Sequence, residues 1–258
     1  MKINLAYFSA TYTTQRIIRQ VAAQFGTDAI REYDITQQLP TEEIRLGKDE
    51  LLILGAPVYS GRIPERAQEA FRYLKGEGTP VVVIAVYGNR EYEDALVEMK
   101  DLIEANGFRL ISAAAFVAQH SIFSHVATGR PDAKDMRLAA EYGKQLAALL
   151  DNAEAIEALP LPAIKGNRPY RDIGPSHPMP IRVEEECNAC GTCVELCPYQ
   201  AISAADPRVT DVAQCRSCGR CIVVCPLQVR RFSGEFFDMV GQKFAVALAA
   251  RKEPELFF

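Results

Sequence analysis

Cys187-Asn-Ala-Cys190-Gly-Thr-Cys193-Val-Glu-Leu-Cys197-Pro198 recurs further along the chain as Cys215-Arg-Ser-Cys218-Gly-Arg-Cys221-Ile-Val-Val-Cys225-Pro226. Both copies read C-x2-C-x2-C-x3-C-P, and the glycine after the second cysteine and the proline after the fourth are repeated too. All 8 cysteines of the 258-residue chain fall in this stretch. A disulfide framework would spread its cysteines through a small secreted domain; clustering in a leaderless chain favours metal ligation in a reducing compartment. Zinc usually takes two separated pairs of ligands, which a third cysteine at the same spacing and a duplicated Cys-Pro do not match. Three thiolates two residues apart wrap one metal centre from a tight loop. The fourth follows on a helical turn and points away, and the Cys-Pro step redirects the chain.

This run resembles the bacterial ferredoxin motif for [4Fe–4S] clusters, in which the fourth cysteine ligates the other cluster. The resemblance implies that Cys187, Cys190, Cys193 and Cys225 hold one cluster, and that Cys215, Cys218, Cys221 and Cys197 hold the second. Such cross-ligation couples metal binding to the folding of a small ferredoxin-type domain, expected at residues 181–231.

Upstream, 6 of the 15 prolines lie in residues 159–180, which read as an extended linker or a strap across the surface. Downstream, residues 232–258 end in the apolar stretch 244–250 and in Leu256-Phe257-Phe258, and read as a segment packing back onto a domain.

Residues 1–158 alternate strand-like and helix-like patterns. Strands are expected at 2–8, 28–33, 51–55, 81–86 and 109–117. Helical spacing joins Ile17, Ile18, Val21, Ala22 and Phe25, then Tyr92, Ala95, Leu96, Met99, Leu102 and Ile103. A helix opens at Pro64, and a last one after Pro131 carries Met136, Ala139, Ala140, Leu146 and Leu150. Five such units imply an open, doubly wound parallel sheet rather than an eight-stranded barrel.

In such a sheet, ligands sit outside the carboxyl ends of the strands at the switch point, between strands 1 and 3 for the order 2-1-3-4-5. After strand 1, Ser9-Ala-Thr11-Tyr12-Thr13-Thr14 brings hydroxyls to a helix N-terminus, which suits a phosphate. After strand 3 comes Pro57-Val58-Tyr59, and after strand 4 Tyr87-Gly88-Asn89 with Tyr92. His120, just past strand 5, reads as a capping or solvated histidine. No G-x-S-x-G elbow occurs, and the G-x-G at Gly76 precedes a strand, so neither a serine triad nor a dinucleotide fingerprint is expected.

Residues 9–14 resemble the flavodoxin phosphate loop, S/T-x-T-G-x-T. The other two loops occupy the places of those that hold the isoalloxazine. The whole chain is similar to the flavodoxin–ferredoxin fusion family (EFR-type ferredoxins). The resemblance implies a flavodoxin-like five-stranded sheet, order 2-1-3-4-5, with a smaller α+β ferredoxin-like domain. It implies two [4Fe–4S] clusters plus FMN on Ser9, Thr11, Thr13, Thr14, Pro57, Val58, Tyr59, Tyr87, Gly88, Asn89 and Tyr92. Tyr12 departs from the pattern, standing where flavodoxins usually have a glycine free to adopt positive φ.

The net charge is −4 with no basic stripe, so nucleic acid is not expected as a partner. The apolar runs are too short for a membrane helix, and a cytoplasmic protein is expected. The reading is an electron-transfer iron–sulfur flavoprotein working with low-potential redox proteins, with no catalytic residues of its own. The alternatives are a flavin-dependent reductase of a small molecule, with the clusters as internal wire, and a binding module that has lost its flavin. The sequence leaves the oligomeric state open.

Overall fold

A computed structural model describes residues 1–153, 155–174 and 179–258. Five strands form a parallel sheet: β1 (Lys2–Tyr7), β2 (Ile30–Asp34), β4 (Glu50–Pro57), β6 (Thr79–Tyr87) and β7 (Phe108–Val117). Between them lie β3 (Ile44–Leu46) and β5 (Leu74–Gly76), which pair with each other in a small separate sheet absent from the sequence reading. The helices are α1 (Thr13–Ala22), α2 (Glu65–Phe71), α3 (Ala95–Glu104) and α4 (Ala133–Asp151).

Along the parallel strands the order is β2-β1-β4-β6-β7, the flavodoxin-like 2-1-3-4-5. Every residue of β6 is buried, because helices cover both faces of the sheet. On one face Ile3, Leu5, Ile53, Val82 and Ile84 pack with Ile17, Ile18 and Val21 of α1 and Tyr142 and Leu146 of α4. On the other, Ala6, Leu52, Leu54, Val81 and Val83 pack with Ala67 and Phe71 of α2 and Leu96 and Met99 of α3. Strand periodicity of two sends alternate residues into these two layers.

Two expectations are corrected. The sheet has six strands, because β10 (Glu255–Phe257) pairs antiparallel with β7, placing Leu256 opposite Ala114. β7 would otherwise present an open, almost wholly apolar edge, and the last residues cover it. The third helix starts at Ala95, and Tyr92 lies in the preceding loop, 1% exposed.

The proline-rich stretch runs along α3 as a strap. The Asp94 carboxylate accepts from the backbone N–H of Asn167 and of Arg171, both at 2.7 Å, and the Tyr170 hydroxyl donates to Asp101 at 2.6 Å. Residues 175–178 of the expected linker lie outside the described residues.

The cysteine-rich part contains β8 (Ile181–Val183), α5 (Thr192–Glu195), α6 (Arg220–Val223) and β9 (Arg230–Phe232), with β8 antiparallel to β9. α7 (Glu235–Ala247) then leads to β10. The repeat in sequence is a repeat in backbone: left-handed residues fall at Ala189 and Ser217, Gly191 and Gly219, and Gln200 and Gln228. Among the described residues no helix is long and apolar enough to cross a membrane.

Candidate cluster and flavin sites

The first cysteine pocket opens to solvent and is lined by Cys187, Cys190, Cys193 and Cys225, with Thr192, Pro207, Leu227 and Arg230. Cys225 comes from the second run and reaches this pocket after α6, while the other three come from the loop before and within α5. Cys190 is exposed, and the Thr192 hydroxyl 3.4 Å from its sulfur lowers the thiol pKa.

In the second set Cys218 is buried and Cys197, Cys215 and Cys221 are half-buried. Cys218 is 8% exposed, and burial, with the nearby Cys221, Cys197 and Cys215 thiols adding to it, pushes its thiol pKa up to about 12. Burial raises Cys221 to about 11. Thiols so placed ionise only against a strong local positive charge, which is what a coordinated iron centre supplies. Each set supplies four free thiols, the donor chemistry that a four-thiolate cluster takes.

The two copies differ in surroundings. Residues 189 and 190 of the first run are exposed, whereas residues 217–220 of the second are all buried against the flavodoxin-like sheet. Cys218 belongs to the same apolar cluster as Phe8, Tyr59 and Tyr199. Gly219 sits in a left-handed turn at φ 79°, where a Cβ would come 3.1 Å from the Ser121 carbonyl oxygen and 3.4 Å from the Thr11 methyl, so the backbone approaches the loop closely. The Arg220 guanidinium donates to the carbonyls of Ala10 (3.2 Å) and Ser9 (3.4 Å) and lies over the Tyr12 ring.

Beside this contact, a crevice lies at the carboxyl ends of β1, β4 and β6. Its lining includes Thr11, Thr13, Thr14, Pro57, Val58, Tyr59, Tyr87 and Gly88, from all three loops singled out in the sequence. The amides of Thr13 and Thr14 open α1, where helical geometry leaves N–H groups without an intrahelical partner. Thr11 and Thr13 hydroxyls lie 3.4 Å apart. A Cβ at Gly88 would come 2.8 Å from the His120 ring, so the backbone approaches closely there.

Three expected residues are not among the lining residues. The Ser9 hydroxyl accepts from the Gln15 amide at 3.1 Å, fixing the turn into α1. The Asn89 side chain is spent on the C-terminal segment: Nδ2 donates to the carbonyls of Leu248 and Ala250, both at 2.9 Å, and Oδ1 accepts from the Lys252 amide at 3.1 Å. Tyr92 packs edge-on against Tyr87, ring centres 5.4 Å apart. Tyr12 adopts φ 64°, so the backbone keeps the left-handed turn that glycine would favour, at the N-cap of α1.

Sequence reasoning missed Thr36, whose hydroxyl accepts from the Ser9 amide at 2.9 Å, and Arg220, which reaches the loop from the other end of the chain. The described residues place no carboxylate within ion-pair distance of the Arg220 guanidinium, which is 5% exposed with its Nε unpartnered. The donors that fit a phosphate-bearing group are the Thr11, Thr13 and Thr14 residues that line the crevice at the start of α1. His120 is a half-buried acceptor: its Nδ1 takes the amides of Ile122 (3.2 Å) and Phe123 (3.3 Å), and desolvation lowers its pKa to about 4.

Residues 180–203 match a family model described as a 4Fe-4S binding domain, and residues 213–235 match a second, also a 4Fe-4S binding domain. Comparison with curated proteins finds no match. Among solved structures, oxidised flavodoxin 1 from Bacillus cereus is similar at 15% identity, covering 60% of this chain and 100% of that one, with a TM-score of 0.42. A flavodoxin from the domain Archaea is similar at 12% identity, covering 59% of this chain and 100% of that one, with a TM-score of 0.40. Rubredoxin oxygen:oxidoreductase from the anaerobe Desulfovibrio gigas is similar at 12% identity, covering 58% of this chain and 36% of that one, with a TM-score of 0.42. The two iron–sulfur matches and the flavodoxin-type sheet order fit a flavodoxin–ferredoxin fusion.

Proposed function

We propose that the chain is an electron-transfer iron–sulfur flavoprotein, with its cluster-holding and flavin-holding parts joined as one unit. The observation that supports it is the seating of the second cysteine run on the crevice: Cys218 shares an apolar cluster with Tyr59, and Gly219 and Arg220 press on residues 9–12. In this reading Cys187, Cys190, Cys193 and Cys225 hold the outer cluster, and Cys197, Cys215, Cys218 and Cys221 the inner one. Residues 1–158 form the flavin domain, 159–180 the strap, 181–231 the cluster domain and 232–258 the segment that closes the sheet edge.

When bound, [4Fe–4S] clusters exchange single electrons and FMN exchanges one or two. The protein positions and insulates. Thr11, Thr13 and Thr14 offer neutral donors to a phosphate, Arg220 adds charge beside them, and Tyr59 and Tyr87 flank the ring site. The outer pocket, with the Cys190 thiol exposed and Leu227 on its rim, is the face offered to redox protein partners. Two one-electron centres joined in one chain to a flavin site favour electron transfer over the reductase alternative.

The experiment is stopped-flow spectroscopy of the anaerobic holoprotein mixed with a low-potential donor. The expected result is flavin bleaching at a rate independent of protein concentration after the donor step. Rapid saturable oxidation of NAD(P)H by the protein alone, or turnover of a small acceptor by protein lacking its clusters, would support the reductase instead.

A further inference from the structure

Besides Arg220, the ferredoxin-type part holds a second buried arginine, Arg230, beside its cysteine sets. Arg230 opens β9, opposite Val183 of β8, and is 2% exposed. Its Nη1 lies 3.6 Å from the Cys193 sulfur and donates to the Pro207 carbonyl at 2.6 Å, while Nη2 donates to the Thr210 hydroxyl at 3.1 Å. Nε has no hydrogen-bond partner. Arg230 lines the outer cysteine pocket, and its charge also bears on Cys221 of the inner set, offsetting part of what burial does to that thiol.

Two features set this residue apart from the cluster motif. The internal repeat places Ile202 at the equivalent point of the first copy, so the ligand geometry is built once without a cation. Nor do the described residues place a carboxylate within ion-pair distance of Arg230, although two surface neighbours, Arg182 and Arg231, both pair with Glu184. A guanidinium buried this deeply without a carboxylate needs another anion to offset its desolvation. The nearest sulfur belongs to one ligand set, and the charge reaches the other.

We infer that Arg230 is a positioning residue whose fixed positive charge is shared by the two clusters and raises the reduction potential of both. The inference rests on the iron–sulfur reading and is independent of the flavin. Adding an electron makes a four-thiolate cluster more negative, so a nearby buried cation stabilises the reduced form more than the oxidised one. The guanidinium fork, held by Pro207 and Thr210, keeps the charge in place without protonation changes.

The test is an EPR-monitored redox titration of anaerobically prepared full-length Arg230→Met and Arg230→Lys, with iron and acid-labile sulfide measured on each. Arg230→Met should load both clusters and shift both potentials to more negative values, while Arg230→Lys should lie between it and the parent. Loaded Arg230→Met with either potential unchanged would overturn the inference. Should Arg230→Met fail to load, Arg230→Lys with full iron and both potentials below those of the parent would support the inference, and parent-like potentials in it would overturn it. Failure of the lysine variant as well would assign Arg230 to holding the loop and overturn the tuning role. Iron and sulfide near zero in the parent protein would instead overturn the iron–sulfur reading itself.

Discussion

The Arg220 guanidinium carbon lies 4.3 Å from the centre of the Tyr12 ring, stacking a residue of the second cysteine run on the loop that opens α1. Such a cation–π contact contributes about 0.5–2 kcal/mol, more when desolvated. Arg220 also bonds two carbonyls of the same loop, so the contact fixes the loop and brings charge to it. Arg220→Ala should weaken FMN binding about tenfold, or about 1.4 kcal/mol, while riboflavin, which lacks the phosphate, should lose much less. Flavin-fluorescence titrations with both ligands check this; equal losses would mean that Arg220 shapes the crevice rather than serving the phosphate.

Cys225 and Cys190 line one pocket although they belong to different runs. Cys225→Ser and Cys190→Ser should therefore damage the same cluster, each lowering iron from about eight to about four per chain and removing the same EPR signal. Cys218→Ser should remove the other. If Cys225→Ser tracked Cys218→Ser, the cross-ligation would be wrong.

Asn89 holds Leu248, Ala250 and Lys252 through three hydrogen bonds from one side chain. Asn89→Ala should cost about 2–3 kcal/mol, at about 1 kcal/mol per bond. Residues 248–258 should then exchange their amide hydrogens faster and be cut sooner by protease, and β10 should loosen from β7. Unchanged exchange there would show that the Ser112–Phe257 hydrogen bond at 2.5 Å and the packing of Phe258 on Tyr142 suffice to hold the edge.

His120 has a folded pKa near 4, below the ordinary histidine value, because it is desolvated. The unfolded chain therefore binds a proton first as pH falls. The stability contributed by neutral His120 is complete above about pH 6.5 and is lost progressively toward pH 4. Between pH 7 and 5.5 the loss should be about 1 kcal/mol, seen as a lower urea midpoint. His120→Asn, which keeps an acceptor for the Ile122 and Phe123 amides, should flatten that dependence. An equally steep slope in the variant would place the titrating group elsewhere.

Much of this architecture is legible in the sequence. Strand β6 shows as an unbroken β-branched run because both its faces are buried, and the duplicated cysteine spacing survives as a duplicated backbone. Three-residue strands such as β3, β5 and β10 carry too little periodicity to be read, and β10 makes sense only once β7 is seen to need an edge partner. Asn89 sits at a sheet edge where a ligand loop belongs, yet its partners lie far along the chain, so nothing local shows that they use its amide. Arg220 reads as an ordinary residue between Gly219 and Cys221; its role depends on how the cluster domain is seated. Tyr12 looks incompatible with a left-handed turn, for which a side chain costs about 1–2 kcal/mol, and the stacking partner that offsets this strain is again Arg220.

The most direct test of the account measures iron, acid-labile sulfide and released flavin together on the full-length chain, purified without oxygen and equilibrated with excess FMN. The account predicts about eight irons, about eight sulfides and about one FMN per chain, as two cubanes and one flavin require. Stoichiometric zinc without sulfide, or a full complement of iron in a chain that stays free of flavin, would contradict it.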